Sequence, residues 1–271
     1  MKRLIAGLAI ALTCCTGARE FHLQDAEAIA KSGGLSPYLL QSRGLSILSF
    51  ERAGPEKGVL TVYIEGDGRA WTNPWQRSTD PTPTDPIGLR LAAADPARPL
   101  IYLARPCQYE MDAGCDNRLW TNARLSPKIV DTFQQLLDDA LRRTHSERLA
   151  LVGYSGGGAL ATLIAERRHD VAWLVTVAAD LDLAAWVRLN DIEPLSQSLD
   201  PANDAVAIQQ LPQVHFVGAD DRVVPPEVAQ SFLRHVSPLG PARIVVVPGF
   251  DHTCCWADAW PRLLGELGFR R

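Results

Sequence analysis

The stretch Leu149-Ala-Leu-Val-Gly-Tyr-Ser-Gly-Gly-Gly-Ala-Leu160 holds the residue best placed to act as a nucleophile. An apolar run, Leu149 to Val152, compresses into Gly153-Tyr154-Ser155-Gly156-Gly157 and continues as a helical pattern from Ala159 to Arg168. A strand, a tight turn and a helix in that order present a serine hydroxyl at the end of the strand. A Cβ at Gly153 or Gly157 would collide with the neighbouring strand or helix. The helix N-terminus that starts after Ser155 favours negative charge developing beside it. An ordinary glycine-rich turn is the competing reading of the pentapeptide. A serine hydroxyl is a poor nucleophile by itself: it needs a base, and the base needs a carboxylate to hold its tautomer.

Functional groups of parallel sheets gather past the carboxyl ends of the strands. Of the six histidines, His22, His145 and His169 lie in polar or helix-flanking positions, His215 sits inside an apolar run and reads as packing, and His235 falls at a helix end. His252 follows the last strand directly, in the loop Pro248-Gly-Phe-Asp-His-Thr253. Asp220 and Asp221 follow the strand before it, and Asp180 and Asp182 are the fallback acids past Val177. Ser155, an aspartate and His252 thus stand at three strand ends, in the chain order Ser, Asp, His.

The elements that must position them alternate. Leu45 to Phe50 reads as an edge strand, after a polar segment, Glu20 to Pro37, that wraps the surface. Val59 to Ile64 is a strand ending in Glu65-Gly66-Asp67-Gly68, and Asp85-Pro86 caps and starts a helix through Ala94. Pro99 to Ala104 is a strand, and Ser126-Pro127 opens an amphipathic helix with Ile129, Val130, Phe133, Leu136, Leu137 and Leu141 on one face. Strands at 171–177, 214–217 and 243–247 follow, with helices at 227–236 and 256–267. The mixed segment 178–212 forms a small cap. This pattern predicts an α/β fold with a mostly parallel central sheet and helices on both faces.

Composition agrees with one folded domain, residues 19–271, at 46% hydrophobic and 21% charged residues. A net charge of −4 argues against nucleic acid as a partner. Lys2 and Arg3 precede an apolar run, Leu4 to Leu12, and then small residues. That is an export signal over residues 1–18, too short for a permanent membrane span. Cleavage follows either a lipoprotein box, with Cys15 lipidated, or Thr16-Gly17-Ala18; the mass of the mature protein distinguishes the two. The expected location is the bacterial cell envelope, periplasmic or lipid-anchored, or the medium. Membrane contact is expected only through that anchor, and no pattern specifies an oligomeric state.

Beyond Cys14 and Cys15, the cysteines are Cys107, Cys115, Cys254 and Cys255. In an oxidising compartment they are disulfide candidates, and four cysteines allow three connectivities. Cys107 and Cys115 bracket a short loop, and at least one of the other pair is expected to be oxidised. Zinc is disfavoured because no C-x-x-C pair is present.

From about Leu45 to the C-terminus the chain resembles the α/β-hydrolase superfamily. Gly218-x-x-Asp221-x-Val-x-Pro225 is similar to that family's acid loop, which favours Asp221 over Asp220. Gly249-x-x-His252 is similar to its histidine loop. Glu65-Gly66-Asp67-Gly68 stands where the family has His-Gly, with Glu65 replacing the histidine. By position, the resemblance makes the Asp67 and Gly156 amides the oxyanion hole. The Asp67 side chain should then point away, to Arg69 or Arg105. Arg105-Pro-Cys-Gln-Tyr109 and the adjacent cysteines resemble lipoprotein-like bacterial members. The implied activity is serine hydrolysis of an ester or related acyl bond in a small-molecule substrate, needing no metal or organic cofactor. A peptidase or thioesterase would use the same residues; a binding or envelope structural protein would not need them. Trp71, Trp75, Trp120 and Trp186 are candidate pocket walls or packing.

Overall fold

The computed structural model describes residues 6–73 and 75–268, with side chains from residue 17 onward. The elements in chain order are α1 (Ala6–Ser32), β1 (Ser36–Ser42), β2 (Leu45–Arg52), β3 (Val59–Ile64), β4 (Trp71–Asn73), β5 (Gln76–Arg77), α2 (Ile87–Ala94) and β6 (Leu100–Leu103). They continue with α3 (Pro127–Thr144), β7 (Arg148–Tyr154), α4 (Gly156–Ala165), β8 (Val171–Val177), α5 (Leu183–Asn190), β9 (Gln213–Gly218), α6 (Pro226–Leu233), β10 (Ala242–Val247) and α7 (Trp256–Gly265). Eight strands form one sheet in the order β1-β2-β6-β3-β7-β8-β9-β10. The β1–β2 and β2–β6 pairs are antiparallel, and the rest are parallel.

Alternation within the strands divides the core. Leu60, Val62 and Ile64 of β3, with Leu149 and Leu151 of β7, face α3, α4 and α6. Tyr63, Ala150 and Val152 point to the other face, where α1, α2 and α7 pack through Ala26, Ala30, Leu91, Trp256, Trp260 and Leu263. β3, β6 and β7, between the two helical layers, are buried on both faces, hence their continuous apolar runs. Trp260 Nε1 donates to Tyr63 Oη at 2.8 Å, and Tyr63 Oη donates to Asp95 at 2.6 Å, which ties α7 to β3 and the end of α2.

Three expectations change. Leu45 to Phe50 lies inside the sheet, because β1 pairs along it through a two-residue turn, Arg43-Gly44. Both turn residues have positive φ (50° and 76°), the conformation that joins twisted antiparallel strands. The segment 20–37 is not an irregular wrap: α1 runs to Ser32, and β1 starts at Ser36. Third, Asp85 does not cap α2; Glu65 does, as described below. The segment 178–212 contains α5 and two short 3₁₀ turns, Pro201–Asn203 and Ala205–Ile208. Of the leader expected over 1–18, residues 1–5 and the side chain of Cys15 lie outside the described part of the chain. Among the described residues no helix is long and apolar enough to cross a membrane.

Glu166, at the end of α4, has its side chain 1% exposed, and burial pushes its carboxyl up to about 8 from the ordinary 4.5 against the opposing charge of Arg167. The folded state therefore holds a proton that the unfolded chain releases near pH 4.5, and stability falls as pH rises from there to about 8. Glu166→Gln removes that loss. Between pH 5 and 8 the variant's melting temperature should fall less than the wild type's, by at least about 2–4 °C, the effect of ~1 kcal/mol in a chain of this size. Parallel melting curves for the two proteins across that range would refute the assignment.

Candidate active site

Every candidate side chain hangs from the carboxyl end of a strand. Ser155 follows β7 with φ 50° and ψ −129°, outside the regions most residues occupy. The glycines permit the turn: a Cβ on Gly153 would overlap the Gly157 carbonyl, and one on Gly157 would overlap the backbone of Ile64 and Glu65. α4 starts at Gly156, so its free amides and dipole lie beside the hydroxyl.

The structure brings Ser155, His252 and Asp221 together. His252 Nε2 lies 3.1 Å from Ser155 Oγ, and His252 Nδ1 lies 2.9 Å from Asp221 Oδ2. The other Asp221 oxygen accepts from the Val223 and Val224 amides at 2.9 and 2.8 Å. The aspartate side chain is fully buried while the histidine side chain is 15% exposed. Asp220 is exposed. Asp180 pairs with Arg124 instead of a histidine, and Asp182 caps α5 by accepting from the Ala185 amide. His215 is buried, with Nδ1 2.9 Å from Thr176 Oγ1, and burial pulls its pKa down to about 3.

The histidine loop is held from several sides. Tyr154 Oη donates to the His252 carbonyl at 3.0 Å, and Trp256 Nε1 donates to the same carbonyl at 3.1 Å. Asp251 Oδ1 accepts from the Thr253 and Cys254 amides at 2.8 and 2.7 Å. Those two amides, Cys254's first, hold the Asp251 carboxyl below its ordinary value.

Opposite Ser155 runs the loop after β3. Gly66 packs so closely that a Cβ on it would lie 3.3 Å from Ser155 Cβ. Among the described residues, neither the Asp67 nor the Gly156 amide donates to a protein acceptor. The Asp67 carboxylate turns to Arg105 at 3.0 Å, and also to Arg124 at 2.9 Å. Arg69 is exposed and makes no ion pair among the described residues.

No family model matches the sequence, and no curated protein matches it. Among solved structures, the chain is similar to an alpha-beta serine hydrolase homologue from Coxiella burnetii, with TM-score 0.56 and 19% identity over 86% of this chain and 95% of that one. It is similar to a bacterial membrane phospholipase A, with TM-score 0.60 and 16% identity over 98% and 99% of the two chains. A third likeness is to Est1E from Butyrivibrio proteoclasticus, with TM-score 0.61 and 13% identity over 85% and 98%. The chain has the α/β-hydrolase fold.

Within this α/β-hydrolase fold, Glu65 takes on work that its sequence neighbours do not reveal. Its carboxyl accepts from the Gly66 amide at 2.9 Å, the Gly88 amide at 3.1 Å, the Leu89 amide at 3.2 Å and Tyr102 Oη at 3.0 Å. The residue therefore caps α2 and staples the loop carrying Asp67 to that helix's N-terminus. Burial pushes its pKa up; the Gly66 amide, the Gly88 amide, Tyr102 and the Leu89 amide oppose that. Arg124 also sits at the site without a local sequence signal, since an arginine in the aperiodic loop before α3 offers none; Asp180, read in the sequence as a fallback acid past Val177, sits there as the partner of Arg124.

A cavity of about 440 Å³ opens over Ser155 and His252, within the range of small-molecule sites. Trp71, Trp186, Ile87, Val223 and Val224 give it apolar walls. Trp186 also donates to the Val223 carbonyl at 2.7 Å, which fastens α5 to the acid loop. Trp120 is buried and bonds the Ser78 carbonyl at 3.1 Å, so it packs, while Trp75 is 92% exposed. Cys107 is disulfide-bonded to Cys115, and Cys254 to Cys255. The second pair sits two residues past His252, within a loop that the hydrogen bonds above already hold.

Proposed function

We propose that this protein is a serine hydrolase that cleaves an ester or related acyl bond through an acyl-enzyme. The observation that carries the reading is the chain Ser155–His252–Asp221, at 3.1 and 2.9 Å, with Ser155 and His252 lining the cavity. Ser155 Oγ attacks the substrate carbonyl while His252 Nε2 takes its proton. Asp221 fixes the proton on His252 Nδ1 and stabilises the cation that forms. The Asp67 and Gly156 amides receive the developing oxyanion, helped by the N-terminus of α4. His252 returns the proton to the leaving group, and water activated by the same histidine frees the acid. No step calls for a metal or an organic cofactor.

The neighbouring structures, which include a serine hydrolase homologue, an esterase domain and a phospholipase, support the same class of chemistry. The apolar walls favour an ester with an aliphatic acyl chain. Purified protein on p-nitrophenyl esters of graded length should release nitrophenol. Its kcat/KM should rise by up to about fourfold per methylene until the cavity is filled, the equivalent of ~0.8 kcal/mol per buried CH₂. A fluorophosphonate probe should label Ser155. No hydrolysis across the series together with no labelling would end this reading and favour a binding role.

A further inference from the structure

Asp67 presents the proposed reaction with a difficulty. Its amide is one of the two that face the oxyanion, and its carboxylate stands beside the other. A Cβ on Gly156 would overlap both Asp67 oxygens. A bare carboxylate there opposes the negative charge that the substrate oxygen gains on attack.

Two arginines take up that carboxylate. Arg105 reaches one oxygen at 3.0 Å and Arg124 the other at 2.9 Å. They come from different loops, one past β6 and one before α3. Each is held independently of Asp67. Arg105 donates to the Arg124 carbonyl, and Arg124 pairs with Asp180 at 2.5 Å and lies 4.9 Å over the Trp186 ring. Both arginines and Asp180 are buried. The carboxylate is therefore drawn to fixed positive charges instead of pulling mobile ones toward the reacting atoms.

We propose that Arg105 and Arg124 form an electrostatic clamp that withdraws the Asp67 charge from the oxyanion, which makes both arginines positioning residues for the attack step. The clamp rests on the Ser155–His252–Asp221 reading. A network that only held loops together would lose activity with Arg124 whatever the charge of Asp67. The clamp instead makes the loss depend on that charge.

The experiment begins with fluorophosphonate labelling of wild-type Ser155, and then measures ester kinetics for folded Arg124→Gln, Arg124→Lys and the double variant Arg124→Gln/Asp67→Asn. Arg124→Gln should lower kcat about 10²-fold with KM little changed, as expected when oxyanion stabilisation is impaired. Adding Asp67→Asn should recover at least about tenfold of that loss, the mark of coupled sites. Arg124→Lys keeps the charge and should stay within about tenfold of wild type. If Arg124→Gln does not fold, Arg105→Gln with and without Asp67→Asn gives the same comparison. Equal losses with and without Asp67→Asn overturn the clamp. So does a folded Arg124→Lys that falls as far as about 10²-fold. Wild-type protein that the probe does not label overturns the clamp and the serine-hydrolase reading together; labelled protein with additive losses overturns the clamp alone.

Discussion

Ser155→Ala should lower ester turnover on the order of 10⁶-fold, the usual cost of losing a nucleophile of this kind, while leaving the fold unchanged. The fold is expected to survive for local reasons. Ser155 makes no side-chain cap bond to α4, and its hydroxyl has His252 Nε2 as its partner at 3.1 Å. Alanine is no larger and faces the same φ of 50°, so the strained turn is retained at similar cost. Residual activity of about 10³ over water would come from the oxyanion amides and from binding. Circular dichroism and melting should match the wild type, and fluorophosphonate labelling should disappear. Ester turnover close to wild type in a clean preparation of this variant would move the nucleophile elsewhere.

Much of this arrangement is legible in the chain because parallel sheets put functional side chains in predictable places. Leu149 to Val152 reads as a strand, and the glycines after it leave Ser155 little choice but the turn. Asp221 and His252 follow two later apolar runs, so their strand-end position needs no tertiary information. The amphipathic face of α3 is written at helical spacing, with Ile129, Val130, Phe133, Leu136 and Leu137 all buried. What cannot be read locally depends on distant partners. Asp85-Pro86 has the composition of a helix start, yet the amides of Gly88 and Leu89 are taken by a carboxyl 23 and 24 residues earlier. β1 begins with a Ser-Pro pair and leaves Tyr38 and Leu39 half exposed, so neither burial nor alternation marks it as a strand. Arg124 meets Asp67 and Asp180 from a loop with no periodicity at all. Each of these became visible only when the fold supplied the other partner.

The second large effect separates two adjacent acids. Asp221 uses both of its oxygens: one receives His252 Nδ1 at 2.9 Å, and the other accepts the amides of Val223 and Val224 at 2.9 and 2.8 Å. Asparagine has one acceptor oxygen and one donor nitrogen. In Asp221→Asn the two backbone amides, which can only donate, claim the new side chain's oxygen and leave its NH₂ facing His252. That NH₂ makes His252 Nδ1 an acceptor, which places the ring proton on Nε2, where it faces Ser155. With its proton on Nε2 the ring has no lone pair facing Ser155, so it must first shift that proton to Nδ1 against the asparagine NH₂, and the cation formed when it then takes the serine proton has no carboxylate to stabilise it. Asp221→Asn should therefore lose about 10⁴ in kcat, with packing preserved because the two side chains have the same shape. Asp220→Asn, at an exposed position whose amide serves the Phe250 carbonyl, should stay within about threefold of wild type. Steady-state kinetics and the rate of fluorophosphonate labelling on both variants test this together. A mild Asp221→Asn beside a crippled Asp220→Asn would reverse the assignment. A mild effect from both would mean that His252 keeps its working tautomer without a carboxylate at this loop.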